Sequence, residues 1–181
     1  MTINDREHYQ KLLYEELRKE SDRGAVMVEA AFLDRALENT LKARFVPTTS
    51  EKDASISNLH FAVKINLAYR VGLISSKFRD DLLKIKDIRN DFAHDIEGCD
   101  FNNPKHVEAI KKLAISADLV SCDPGTGEPF KDGPRGDFRV IVSCMLWVLR
   151  SLAEGIRTME SCPIKAIEEA FPEWFYTGNK N

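Results

Sequence analysis

One polar stretch of this sequence has residue types and spacing that could carry chemistry, namely Arg-Asn-Asp-Phe-Ala-His at residues 89–94. A histidine takes or gives a proton near neutral pH, an arginine stabilises charge on a phosphate, and an asparagine orients either group. Arg89, Asn90 and His94 therefore supply the parts of a metal-independent ribonuclease site. On a regular helix Asn90 and His94 share a face, whereas Arg89 and His94 diverge by about 140°, so those two would meet only across a neighbouring helix or a second subunit.

The same stretch also has a purely structural interpretation, because ion-pair networks imitate functional sites. In it, Arg89 pairs with Asp22 or Glu20 near the start of an earlier helix or with Asp91 on its own helix, and His94 caps carbonyl groups near the helix end. The network locks the helix that begins near residue 21 onto the helix that carries Arg89. It is predicted to contain seven residues: Glu20, Asp22, Arg23, Arg89, Asn90, Asp91 and His94.

The elements that must position these residues are helices, because apolar residues recur at helical spacing along most of the chain. The helix that carries Arg89 begins at Ser75 or Ser76. Its apolar positions follow at steps of three and four residues: Phe78, Leu82, Ile85, Ile88 and Phe92. Ser21 is expected to cap an earlier helix, Asn103-Pro104 to begin a later one, and Gly72 to stop a helix that starts near residue 57.

The predicted fold is therefore all-α, a single domain over residues 1–181 built as a bundle of about six to seven helices. The most apolar helix, at 137–160 with Asp137 as its cap, is expected at the centre of the bundle. A first helix is expected at about 5–19 and a short last one after Pro163. A turn-rich insertion is expected at about 118–136, and an aromatic tail at 172–181 is expected to fold back on the body.

Composition excludes several classes of protein. A formal net charge of -3 argues against broad binding of nucleic-acid backbones, and no turn is flanked by a recognition-like helix. No apolar run approaches the ~20 residues of a membrane span, and no signal sequence begins the chain. The four cysteines lack the spacing of a metal site, which predicts free thiols in the cytoplasm, no metal and no cofactor.

Several segments of the sequence resemble the mannitol operon repressor family. They span about Leu12 to Leu113 and include residues 20–26, 32–34, 37–38, 64–65, 67–69, 72–74 and, as the most specific, Ile-Arg-Asn-Asp-Phe-Ala-His at 88–94. The resemblance implies an all-helical fold and a role in negative regulation of transcription without a recognisable DNA-binding motif. It therefore implies action through a protein partner, such as a DNA-binding regulator.

The Arg-x4-His pattern with a polar residue after the arginine is also similar to the signature of the HEPN helical superfamily. Many members are metal-independent ribonucleases, often dimeric, and others are non-catalytic binding modules. By position, the resemblance implies that Arg89, Asn90 and His94 form the catalytic or nucleotide-contacting set, with RNA as substrate and a homodimer as the assembly. A third alternative is direct binding of operator DNA through a local basic surface.

Overall fold

The computed structural model of the protein describes residues 15, 17, 19–50, 53–95, 99–113 and 133–161. Within these ranges the chain forms five α-helices and one 3-10 turn, and it forms no strand. The elements are α1 (Asp22–Arg44), the 3-10 turn (Ile56–Asn58), α2 (Phe61–Arg70), α3 (Ser76–His94), α4 (Pro104–Lys111) and α5 (Gly133–Gly155). The all-α class is confirmed; the expected helices at 5–19 and after Pro163, most of the insertion and the aromatic tail lie outside the described residues.

The predicted start signals are confirmed at three helices. The Ser21 hydroxyl accepts a hydrogen bond from the amide of Gly24 at the start of α1, and the Ser75 hydroxyl accepts one from Phe78 at the start of α3. Asn103 caps α4, which begins with Pro104. Each cap satisfies an amide that has no partner within its helix, so local sequence chemistry fixes where these helices begin.

The predicted helix from residue 57 is divided in two. A 3-10 turn ends at Asn58, and α2 begins only at Phe61. The predicted stop is confirmed, because Gly72 adopts a left-handed φ of 74° and the amide of Leu73 bonds to the carbonyl of Ala68. On α2 the apolar Val63 is exposed, whereas the charged Lys64 is buried.

The predicted bounds of the last described helix need correction. α5 begins at Gly133 and ends at Gly155 rather than spanning 137–160. Its first turn contains Pro134, which is tolerated where helix amides have no internal partner. Beyond α5, the Thr158 hydroxyl and the Met159 amide donate to the carbonyls of Ala43 and Arg44, so this segment caps the end of α1 instead of continuing a helix.

The expectation that the most apolar helix occupies the centre is also not confirmed. Among the described elements, α1 packs against α2, α3 and α5, whereas α5 packs mainly against α1 and α4. α1 buries Leu33, Leu37 and Leu41 completely, and small residues such as Ala25 and Ala30 allow its neighbours to approach closely. The helix that positions the candidate site is therefore α1.

The end of α3 is held by an aromatic cluster that joins α3, α4 and α5. Phe101 lies 5.3 Å from Phe92 and 5.5 Å from Phe138 between ring centroids, and His106 lies 4.6 Å from Phe92. The five apolar positions predicted for α3 are all buried. Their packing fixes the rotation of α3 about its axis and therefore the directions in which the polar residues between them point. No helix in the described part of the chain is long and apolar enough to cross a bilayer.

Candidate functional site

A groove of about 620 Å³ lies between α1, α3 and the segment that leads into α2, and we call it the α1–α3 groove. Its lining comes from three stretches of chain: Met27, Ala30, Ala31 and Asp34 of α1; Lys86, Arg89 and Asn90 of α3; and residues 57–62 with Lys64. The groove therefore contains two of the three residues that sequence analysis selected for chemistry.

Arg89 is half-buried in this groove. Its Nη1 atom donates to the side-chain oxygen of Asn90 at 3.0 Å, and no carboxylate among the described residues forms an ion pair with it. A guanidinium has five N–H groups in a planar fork. Because one of them is used within the described chain, the others are available to a ligand in the groove.

The predicted ion pair of Arg89 with Asp22, Glu20 or Asp91 is therefore wrong, and for the two acids at the start of α1 the register of the helices explains why. Arg23, at the start of α1, donates to the carbonyl of Asp95, just beyond the end of α3, so the two helices run antiparallel. Arg89 lies six residues before Asp95, about 9 Å along the axis. That distance places it level with Ala30 and Ala31 of α1 rather than with Asp22.

Asp22 instead ties the start of α1 to two other elements. Its carboxylate accepts from Arg135 Nη1 at 2.9 Å and from the Phe101 amide at 3.1 Å. Arg135 also donates to the backbone oxygens of Leu17 and Glu20. Asp22 and Arg23 thus fasten the start of α1, but through Arg135, Phe101 and Asp95 rather than through Arg89. Arg135 was not predicted as a partner because it falls within the predicted turn-rich insertion at 118–136.

The rest of the predicted polar set points away from the groove. Asp91 accepts from Lys105 of α4 at 2.7 Å and lies 3.8 Å from His106 Nε2. His94 is exposed at the end of α3, outside the groove lining, and makes no hydrogen bond or ion pair with the described residues. The side chains of the motif therefore point to three places: Arg89 and Asn90 to the groove, Asp91 to α4, and His94 to the exposed end of α3. Arg89 and His94 of one chain do not line the groove together.

His106 of α4 is buried, with 2% of its surface exposed. Its Nδ1 donates to the carbonyl of Asp100 at 3.0 Å, and Nε2 lies 4.0 Å from the thiol of Cys99. Burial, followed by the negative charge of Asp95, raises the pKa of the Cys99 thiol, which disfavours the thiolate that nucleophilic chemistry requires. His106 is thus part of the packing around Phe92.

One wall of the groove is stabilised by a buried ion network that was not predicted from the sequence. Lys64 Nζ donates to Asp34 at 2.9 Å and to Glu38 at 3.0 Å. Glu38 also accepts from Lys42, Ser57 and Arg35. The signal was present in the sequence, because Asp34 and Glu38 share a helical face and Lys64 stands alone among apolar residues.

Protonation in this network follows from its hydrogen bonds. The bond from Lys42, and then those from Lys64 and Ser57, outweigh burial and lower the pKa of Glu38 to about 2. Burial alone would lower the pKa of Lys64, but its bonds to Asp34 and Glu38 raise it above the ordinary value. Both groups are therefore charged at neutral pH, and Lys64 is neutralised by its own partners.

A second buried glutamate lies on the opposite face of α1. Glu29 Oε1 is 3.9 Å from Arg139 Nε of α5, which is too far for a hydrogen bond, and that oxygen has no other partner among the described residues. Burial raises the pKa of Glu29 to about 8, although Arg139 and Arg135 oppose the shift. Glu29 does not line the groove, so we assign it to the α1–α5 interface.

The arrangement is suited to binding an anion rather than a metal. No acidic side chain of the described residues pairs with Arg89, which brings positive charge into the groove, and Asn90 accepts one of its hydrogen bonds. Among the described residues, no group of three or more histidine, cysteine or acidic side chains is placed to hold a metal ion. Comparison with known proteins adds no constraint, because no family model, no curated protein and no solved structure matches the chain.

Proposed function

We propose that this chain is a negative regulator of transcription that acts by binding a protein partner, such as a DNA-binding regulator, and does not contact the operator itself. The proposal starts from the resemblance of residues 12–113 to the mannitol operon repressor family. The structural observation that supports it is the position of Arg89. This residue is central to the most specific matching segment, and it lines an open groove without a carboxylate partner in the described chain.

The charge of the chain favours a protein partner over DNA. Neutralising the backbone of a duplex requires several lysines and arginines placed along its path. The chain carries a net charge of -3, and in the groove Lys64 is neutralised by Asp34 and Glu38. One uncompensated arginine is suited to a single anionic contact, such as a side chain on another protein.

Two measurements in the native cells test the proposal. In a strain that lacks the chain, transcripts of the regulated operon are expected to rise, and the wild-type chain is expected to restore repression. The tagged chain is expected to retain a DNA-binding protein whose operator controls those transcripts. Unchanged transcript levels, or salt-sensitive and sequence-selective retention of operator DNA by the pure chain alone, would contradict the proposal.

A metal-independent ribonuclease is the second candidate, and one observation favours it. Arg89 and Asn90, two of the three residues predicted for that chemistry, line the same groove. His94 lies outside that groove, so this candidate requires a second copy of the chain to bring its His94 to the Arg89 of the first.

The ribonuclease candidate makes a separate prediction. The pure protein should cut single-stranded RNA in the presence of a metal chelator, and His94→Ala should abolish the cutting without loss of helicity. The matched control is His60→Ala, because His60 lines the groove but lies outside the motif. If cleavage persists in the His94→Ala variant, or disappears equally in both variants, the motif is not catalytic.

A further inference from the structure

The α1–α3 groove has a charge pattern that selects one kind of occupant. Four charged residues line it, and two of them, Lys64 and Asp34, pair with each other. Lys86 pairs with its neighbour Asp87 at 2.8 Å, although the Asp87 side chain is 68% exposed. Arg89 is the remaining charge, and its partner is the neutral amide of Asn90.

The orientation of Arg89 is fixed before any ligand arrives. α3 is anchored by the buried residues Ile88 and Phe92 on either side of it, and the bond to Asn90 holds one end of the guanidinium. A carboxylate matches the geometry of the planar fork, since it accepts two parallel N–H bonds. Pre-orientation increases affinity because less side-chain entropy is lost on binding.

The shape of the groove fits a chain segment better than an isolated ion. Its volume of about 620 Å³ lies within the range of about 300–1,000 Å³ that is typical of ligand sites. Ala30 and Ala31 leave space along α1, and Leu59 and Phe61 add apolar surface beside the charged wall. An acidic side chain with apolar neighbours would use both features.

The same features disfavour RNA as the occupant. A nucleic-acid strand presents one phosphate per nucleotide and is held by a row of cations together with exposed aromatic platforms. In the groove Lys64 and Lys86 already have carboxylate partners, which leaves one arginine for an entire strand. A single carboxylate matches that number.

We infer that the α1–α3 groove is the docking site for an acidic segment of the partner protein, with a glutamate or aspartate of that segment bound by Arg89 and an adjacent apolar side chain placed against Leu59 and Phe61. This inference rests on the proposed function, because it names the chemistry of the partner. Arg89 is the specificity-determining residue, and Asn90 is a positioning residue that acts through it.

Fluorescence polarisation with the full chain tests the inference. The probe is a fluorescein-labelled peptide in which glutamate and leucine alternate, and its matched control has glutamine at every glutamate. The glutamate peptide is expected to bind the wild-type chain about tenfold more tightly than the glutamine peptide, since charge-assisted bonds are roughly twice as strong as neutral ones. Equal binding of the two peptides, or no binding of the glutamate peptide, would overturn the inference.

Three variants locate the binding on the chain. Arg89→Gln is expected to lose the tenfold preference and Arg89→Lys to retain part of it, because lysine keeps the charge but not the fork. Arg79→Gln is the control, since Arg79 lies on the same helix but pairs with Asp80 and stacks on Tyr69, outside the groove. Circular dichroism confirms folding of each variant. If Arg89→Gln keeps the preference, or Arg79→Gln loses it, the site is not this groove.

Two further comparisons separate this inference from its premise. If labelled single-stranded RNA binds in an Arg89-dependent manner and the glutamate peptide does not, the groove is a nucleic-acid site and the inference fails. If the tagged Arg89→Gln chain retains the same cellular regulator as the wild type, the docking site fails while the proposed function stands. If peptide binding depends on Arg89 but transcripts do not depend on the chain, the proposed function fails while the acidic-peptide site stands.

Discussion

Two opposite faces of α1 each bury one glutamate, and the pKa values of these two glutamates are shifted in opposite directions. Glu38, toward α2, and Glu29, toward α5, are 4% and 1% exposed. Glu38 accepts hydrogen bonds from four side chains and has a pKa of about 2, whereas Glu29 Oε1 accepts none and the pKa of Glu29 is about 8. Burial alone therefore raises the pKa of a carboxyl group, whereas hydrogen-bond donors within reach of the buried carboxylate lower it.

The two glutamates also give opposite dependence of stability on pH. Glu38 has a folded pKa below its unfolded value of 4.5, so its contribution is present above pH 4.5 and is lost as the pH falls toward 2. Glu29 has a folded pKa above 4.5, so its contribution is present below pH 4.5 and is lost as the pH rises toward 8. Lowering the pH below 4.5 therefore weakens one face of α1, and raising the pH from 4.5 toward 8 weakens the other.

Replacing Lys64, the cation that pairs with both Asp34 and Glu38, is expected to have the largest effect on stability. Lys64→Met leaves Glu38 and Asp34 without the amine that bridges them, and Lys64 is 2% exposed. We expect the free energy of unfolding to fall by about 3–5 kcal/mol, because removing one member of a buried ion pair leaves an uncompensated charge. Urea unfolding at pH 7 measures the change.

The control for Lys64 is Lys112→Met, since Lys112 also pairs with a glutamate but both side chains are exposed. That variant should change the urea midpoint little, because solvent replaces an exposed partner. Equal losses in the two variants would mean that burial of Lys64 does not determine the strength of its pairs.

Glu29→Gln tests the opposite face with the next largest effect. In the wild type the stability should decline by up to about 1.4 kcal/mol per pH unit between pH 5 and 8, because the folded state holds a proton that the unfolded chain releases. Glutamine cannot ionise, so the variant should lack this decline. Urea unfolding over that pH range measures the slope.

Glu154→Gln provides the matched comparison for Glu29, because Glu154 is an exposed glutamate of α5. Its pH profile should follow the wild type. A wild-type profile that is flat between pH 5 and 8 would show that Glu29 is ionised in the folded protein, with Arg139 as its effective partner.

Ser57→Ala tests how much a neutral hydrogen-bond donor contributes to the lowered pKa of Glu38. The serine hydroxyl donates to Glu38 Oε1 at 2.9 Å, and its loss should raise the pKa of Glu38 and reduce stability by about 1 kcal/mol, the usual contribution of one hydrogen bond. Carboxyl NMR titration and urea unfolding measure the two effects. An unchanged pKa would mean that the charged donors alone set the protonation of Glu38.

The sequence predicted the local part of this structure well. Ser21, Ser75, Asn103 and Gly72 act at the helix ends where they were expected, because caps and left-handed stops depend on neighbours in the chain. The buried stripe of α3 followed from its spacing for the same reason. The all-α class is the sum of such local signals.

The long-range part could not be predicted in the same way. Asp22 was one of the partners predicted for Arg89, whereas it binds Arg135 across the fold, and the register of α1 against α3 decides between these two possibilities. The network of Lys64 with Glu38 was missed because its members lie 26 residues apart. The charge of a side chain does not identify its partner, because the partner depends on how the helices are placed relative to one another. The spacing of residues within one helix carries no information about that placement.

Lys42→Gln is expected to have the smallest effect on stability. It is also the most direct test of how much each hydrogen-bond donor of Glu38 contributes to the stability of the fold. Lys42 makes the shortest bond to Glu38, 2.6 Å, yet its side chain is 44% exposed. We expect the pKa of Glu38 to rise, because this bond is the largest cause of its lowering, while the free energy of unfolding falls by only about 0.5 kcal/mol, since water solvates the carboxylate edge that Lys42 leaves. Carboxyl NMR titration and urea unfolding of the same sample separate these outcomes. A loss as large as that of Lys64→Met would show that the length of a bond to Glu38, rather than the burial of its donor, determines how strongly it stabilises α1.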